Sequence, residues 1–177
     1  VYANTLIEPT AEAFAGAHWP EGVGVRWDAE LAPHYAEARR MLGVTKAPTD
    51  FPADRALKET AETLGFGHTY HPVNVGIYFG EPGVKAKDPY FGGVGPDRAG
   101  CVRCGGCMVG CRHNAKNTLE KNYLYFAEKR GAKIMPETEA HTVKPLADGG
   151  YEVVVKKPGK VFGRSVKLRA KGVVLAA

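Results

Sequence analysis

Apolar residues recur at two different spacings along this chain, and the change of spacing divides it. After Asp28, the residues Leu31, Tyr35, Ala38 and Leu42 fall on one side of a helix, with Asp28 suited to cap its start and Gly43 its end. Pro33 lies in the first turns, where it can tighten the start. A second helix is predicted from Pro52 or Asp54 to Leu64, with Ala56, Leu57, Thr60 and Leu64 on one side and Gly65 as its stop. A third begins at Asn117-Thr118-Leu119-Glu120, which reads as a capping box, and runs to Arg130 with Leu119, Tyr123, Phe126 and Ala127 as its stripe. Beyond Lys133 the period becomes two. Strands are expected over 133–138, 141–146, 151–157, 161–169 and 173–177, with turns at Asp148-Gly149-Gly150 and Pro158-Gly159-Lys160. Residues 1–27 read as irregular, and 65–100 as a long loop with one strand near Val73–Phe79.

The predicted fold class is therefore α+β: a few helices packed on a mainly antiparallel sheet of about four or five strands, with long Gly/Pro-rich loops. The division falls between 1–132, which carries the helices and a cysteine loop at 101–111, and a β-meander over 133–177.

Composition adds limits. Of 177 residues, 44% are hydrophobic and 24% charged, enough for a packed core, while 22 Gly and 12 Pro fit the long loops. The net charge of +5 is scattered, without a basic helix or aromatic-interleaved stripe, so a solvated surface is favoured over nucleic-acid binding. No apolar run approaches the ~20 residues of a membrane span. The start carries neither a signal-peptide pattern nor a Met, and the end stops in a buried-strand pattern, so both ends are expected to be internal to a longer chain.

All four cysteines fall within one short run, Cys101, Cys104, Cys107 and Cys111, spaced C-x2-C-x2-C-x3-C. That is the spacing of bacterial ferredoxins, and soft thiolates on a short glycine-bearing loop suit an iron–sulfur cluster. Gly105, Gly106 and Gly110 allow the wrap, and Arg103 and Arg112 favour thiolates. Two features depart from the ferredoxin pattern: Arg112 stands where Pro normally follows, and no second run exists. One cluster held by all four local cysteines needs a different loop geometry, with His113 as a substitute ligand; a zinc site of four thiolates or three and an imidazole, one or two disulfides, and free thiols stay open as alternatives, and the tight spacing favours metal over disulfides. Two weaker candidates are set lower. The glycines from Gly76 to Gly95 lack a P-loop's Lys-Ser/Thr and suit a loop over an active-site entrance better than a phosphate cradle. His68 and His71 flank Tyr70 as ordinary histidines rather than a metal pair.

The run from Gly100 to His113, continued by Ala115-Lys116-Asn117-Thr118-Leu119-Glu120-Lys121-Asn122-Tyr123-Leu124, resembles a bacterial, cholesterol-oxidase-like subgroup of the glucose–methanol–choline (GMC) oxidoreductases. Tyr2 to Pro9, Pro33 to Gly43, Asp88 to Gly93 and Val173 to Ala177 fit the same subgroup in the same order, so the resemblance covers nearly the whole chain. It implies an internal piece of an FAD-dependent enzyme that passes hydride from a CH–OH group, in a sterol or another alcohol, to flavin. Residues 1–132 then correspond to the substrate-domain region and 133–177 to part of the FAD domain, the last strand joining its larger sheet. Asn4 and Thr5 align beside the flavin ring, and Val143 aligns with a residue whose backbone meets the adenine. The flavin fingerprint and the catalytic residues are expected outside this chain, and none of its six His is assigned that role. The four cysteines resemble family relatives that relay electrons through an iron–sulfur cluster, which makes dehydrogenase as apt a description as oxidase, with the acceptor open. A cytoplasmic location with room for peripheral membrane contact, and self-association of the isolated chain, are further expectations. A stand-alone ferredoxin-like carrier and a zinc- or disulfide-stapled interaction domain are the competing functions.

Overall fold

A computed structural model describes residues 6–14, 26–48, 50–159 and 164–176. The chain divides into two compact units, Val1–Gly131 and Ala132–Ala177.

In the first unit, a short α1 (Ala11–Phe14) precedes α2 (Trp27–Met41), and α3 (Pro52–Thr63) follows. Helix α2 starts one turn-position earlier than the spacing predicts. Arg26 occupies the cap, and Asp28 lies inside the first turn, where its carboxylate suits the helix dipole and pairs with Arg26 at 2.6 Å. Glu8 pairs with Arg39 on the same helix. Helix α3 begins with Pro52 at its first position, and Asp54 accepts from the Phe51 backbone N–H at 2.8 Å.

Gly43 ends α2 at φ +57, and a Cβ there would sit 2.5 Å from the Tyr90 ring and 2.6 Å from Asn117 Nδ2. Both the left-handed backbone and the close approach demand glycine. Gly43→Ala is expected to lower stability by about 2 kcal/mol, read as a fall in the thermal midpoint. An unchanged midpoint would mean that Tyr90 yields freely.

Strands in this unit are short. β1 (Thr45–Lys46) pairs with β2 (Asn74–Val75), and β3 (Lys85–Ala86) pairs with β4 (Arg98–Ala99), both antiparallel. The strand expected near Val73–Phe79 is reduced to β2 and one bridge from Ile77 to Lys116. Val75, Ile77 and Ala115 form the buried cluster here, with Phe79, Cys101, Cys107 and Cys111 packed on it. Three of the four cysteines thus stand against the apolar core of this unit. The third predicted helix is split: a 3-10 turn at Leu119–Lys121 is followed by α4 (Tyr123–Lys129). Buried Asn122 causes the break, because its side-chain oxygen caps α4 through the Tyr123 N–H at 2.7 Å.

The second unit is an antiparallel sheet in the order β5 (Glu139–Pro145), β6 (Tyr151–Lys156), β7 (Val166–Ala170). Gly149 and Gly150, at φ +93 and +79, make the β5–β6 turn as predicted. The strand expected at 133–138 is replaced by a turn at Pro136-Glu137, where Glu137 takes φ +49 and proline withholds an N–H. Residues 172–176 pair with no strand among the described residues, and Val174 and Leu175 are exposed. The α+β class holds: few helices and small antiparallel sheets. Among the described residues, no helix is long and apolar enough to cross a membrane.

Candidate functional site

The cysteine loop is held at both ends by the backbone of 76–78. Cys101 N–H donates to Tyr78 O at 2.9 Å, Tyr78 N–H to Ala115 O at 2.8 Å, and Asn117 N–H to Gly76 O at 2.8 Å. Gly100 lies so close to the Glu81 carbonyl that no side chain fits between them. Within the loop, positive φ at Arg103, Gly105 and Gly110 reverses the chain, and a 3-10 turn over Gly106–Val109 carries Cys107 inward. The glycine spacing noted in the sequence therefore does serve the wrap.

All four cysteines are free of disulfides and line one cavity of about 420 Å³, together with Phe51, Val75, Ile77, Phe79 and Ala115. Cys101, Cys107 and Cys111 are half-buried, and Cys104 is exposed. His113 also lines the cavity. Backbone N–H groups already point at sulfur: Arg103 to Cys101 Sγ and Ala115 to Cys111 Sγ, each at 3.4 Å. Lys116 Nζ donates to the Cys107 carbonyl at 3.0 Å.

The electrostatics of the cage are uneven. Burial pushes the Cys107 thiol up, and the neighbouring Cys101, Cys111 and Cys104 push it the same way against Lys116. Burial also opposes the Cys111 thiolate, yet the backbone N–H groups of Ala115, Lys116, His113 and Asn114 outweigh it and hold that pKa below the usual thiol value. Among the described residues, no three His, Cys, Asp or Glu side chains stand close enough to hold one metal ion. Neither the iron–sulfur cluster nor the zinc alternative gains support from this placement.

The other sequence candidates fall apart from the cage. Asn4 and Thr5 lie outside the described residues. Val143 lies in β5 of the second unit, opposite Val153. Four N–H groups of the glycine-rich loop are turned onto a side chain of the loop itself rather than toward a phosphate. Tyr90, Phe91, Gly93 and Gly95 all donate to the carboxylate of Asp88, at 2.6–3.2 Å. Sequence reasoning missed that clasp. It also missed Arg98, 1% exposed and bound to Asn117 at 2.6 Å and to three backbone carbonyls.

Comparison with curated proteins decides the relationship. The chain is 48% identical over 186 residues to a cholesterol oxidase of Acinetobacter baumannii, covering 99% of this chain and 33% of that protein. It is 47% identical over 182 residues to a cholesterol oxidase of Mycobacterium tuberculosis, covering 99% of this chain and 31% of the relative. The chain is a homologue of cholesterol oxidases. It spans about a third of the length of the curated cholesterol oxidases it matches, so the cysteine cage belongs to a stretch shared with them. The resemblance read from the cysteine run and its flanks is borne out by these cholesterol oxidase relatives. No family model matches the chain, and no solved structure matches it significantly.

Proposed function

We propose that this chain is part of an FAD-dependent oxidoreductase that takes hydride from the CH–OH group of a sterol or another alcohol, and that its four cysteines hold an iron–sulfur cluster. One observation carries the reading: four thiols line one cavity within a chain that matches cholesterol oxidases along 99% of its length. Burial first, and the neighbouring thiols second, raise the Cys107 pKa, so thiolates in this apolar cavity are costly without a guest. A cationic guest offsets that cost. A cluster suits the cage better than zinc, which would draw its sulfurs to about 2.3 Å from one ion.

When bound, the cluster supplies a one-electron relay. Cys101, Cys104, Cys107 and Cys111 would ligate it, and the Arg103 and Ala115 N–H groups would stabilise negative charge on sulfur. Ile77, Phe79 and Ala115 keep water from its inner side. For FAD, this chain's contribution is Asn4, Thr5 and Val143. Among the described residues β5 is an edge strand of its sheet, with one side of its backbone unpaired there. The hydride and proton chemistry is assigned to no residue of this chain. Exposed Val143, Tyr151 and Val166 on the three-stranded sheet support self-association of the isolated chain.

Anaerobic purification followed by iron, acid-labile sulfide and zinc determination tests the cage. The expected result is iron and sulfide in matched amounts with broad visible absorption, all lost in Cys107→Ser. One zinc per chain, or four titratable thiols without metal, would overturn the cluster. Anaerobic bleaching of flavin by sterol and by simpler alcohols in the full-length protein tests the substrate class, and no bleaching by any of them would overturn it.

A further inference from the structure

We propose that the outer edge of the cysteine cage is a docking site for an acidic one-electron carrier protein, a step that rests on the cluster reading above. Three observations meet at this edge. First, it is apolar at its tip: Met108 is 66% exposed and Val109 89%, with Val102 at 36% beside them. Exposed apolar side chains grouped in one patch and rimmed by polar residues are a feature of interaction sites. Second, the loop's own charge has one sign, although Glu81 borders it beside Gly100. No Asp or Glu occurs between Arg98 and Leu119, while Arg103 and Arg112 are exposed, and no ion pair of the described residues engages either. Third, Cys104 is the exposed member of the cage, so the shortest route out of a bound cluster passes this edge.

The size of the patch selects the kind of partner. Three exposed apolar side chains with Arg103 and Arg112 near them in the same run suit the small, weak interfaces of redox encounters, below about 1,200 Å². Such encounters take their speed from opposite charge rather than from buried area. A second copy of this face would set arginine against arginine. A lipid surface calls for clusters of about 4–8 basic residues, more than this edge presents. Single-stranded nucleic acid calls for several stacking aromatics, and 101–116 contains no Phe, Tyr or Trp and a single His113. The chemistry balances. Oxidation of a CH–OH carbon to a carbonyl releases two electrons and two protons, and each of two carrier molecules takes one electron.

The test uses the full-length holoenzyme with substrate under anaerobic conditions, with iron content measured for every variant. The acidic soluble haem domain of cytochrome b5 serves as probe, and a basic cytochrome c as its opposite. Reduction of the acidic carrier is expected to slow about tenfold or more as salt rises, as steered association does. Val109→Glu and Met108→Glu are expected to slow it about tenfold again and to speed the basic carrier, with flavin bleaching by substrate unchanged. Rates with both carriers that ignore salt and these substitutions, in a protein that holds its iron, would overturn the docking site alone. So would charge-dependent capture by anionic vesicles with carrier rates unmoved. Absence of iron from the wild-type protein would instead remove the cluster reading beneath it.

Discussion

Replacing Arg98 with methionine is expected to lower the unfolding free energy by about 4 kcal/mol, because several buried acceptors lose their donor at once. The guanidinium is almost fully enclosed and bonds only to neutral oxygens: Asn117 Oδ1 at 2.6 Å, Pro96 O at 2.8 Å, Asp97 O at 3.1 Å and Lys121 O at 2.9 Å. It also lies 5.6 Å from the centre of the Tyr90 ring. Burial lowers its pKa, but a guanidinium stays charged, and the fan of carbonyl dipoles is what stabilises that charge. Methionine keeps the apolar stem and removes the donors, so the loss reports the bonds rather than a cavity. Arg98→Lys restores a cation but only a compact ammonium, which cannot span acceptors on both 96–97 and 117–121. It is expected to recover about half of the loss. Urea unfolding with an unchanged m-value is the measurement. A loss below about 1 kcal/mol for Arg98→Met would show that water replaces the guanidinium without penalty. The bonds tie together the segments on either side of the cysteine loop, so the same variant is expected to loosen the cage.

Arg98 also shows where sequence reading stops. Helices α2 and α3 were legible because their apolar spacing, an early Pro52 and the stops at Gly43 and Gly65 all act through neighbours in sequence. The cysteine cage was legible for the same reason: its donors lie within one short run and its reversals use Gly105 and Gly110. Asn122 was read as a residue inside a helix, because nothing local says that it is buried and caps a new one. The strand expected at 133–138 does not form because Pro136 stands inside the run and withholds an N–H from any ladder. Arg98 and Asp88 bond chiefly to backbone carbonyls and N–H groups, which every residue carries, so no pattern of side chains could announce them. What positions the candidate site is thus written partly in long-range backbone geometry, which only the folded chain displays.

Asp88 carries the second large effect. Its side chain, 7% exposed at φ +24, closes the 90–95 loop by accepting four backbone N–H groups, two on each oxygen. Asp88→Asn keeps the shape but turns one oxygen into an NH2, which faces two N–H donors that it cannot accept. The expected loss at neutral pH is about 3 kcal/mol, since hydrogen bonds to a charged acceptor exceed neutral ones. The pH dependence separates this cause from a steric one. Burial alone would raise the Asp88 pKa, but the four N–H donors outweigh it and hold the folded value below the usual carboxylate range. A depressed folded pKa means stability that is complete above the unfolded value of about 3.9 and drains away as pH falls through the folded one. The stability gap between the wild-type protein and Asp88→Asn is therefore expected to be constant from about pH 6 upward and to narrow below about pH 4. Urea unfolding of both proteins across that range measures it, and the wild type's other carboxylates cancel in the difference. A gap of the same size in acid as at neutrality would assign the loss to shape and remove the charge of Asp88 from the account of this loop.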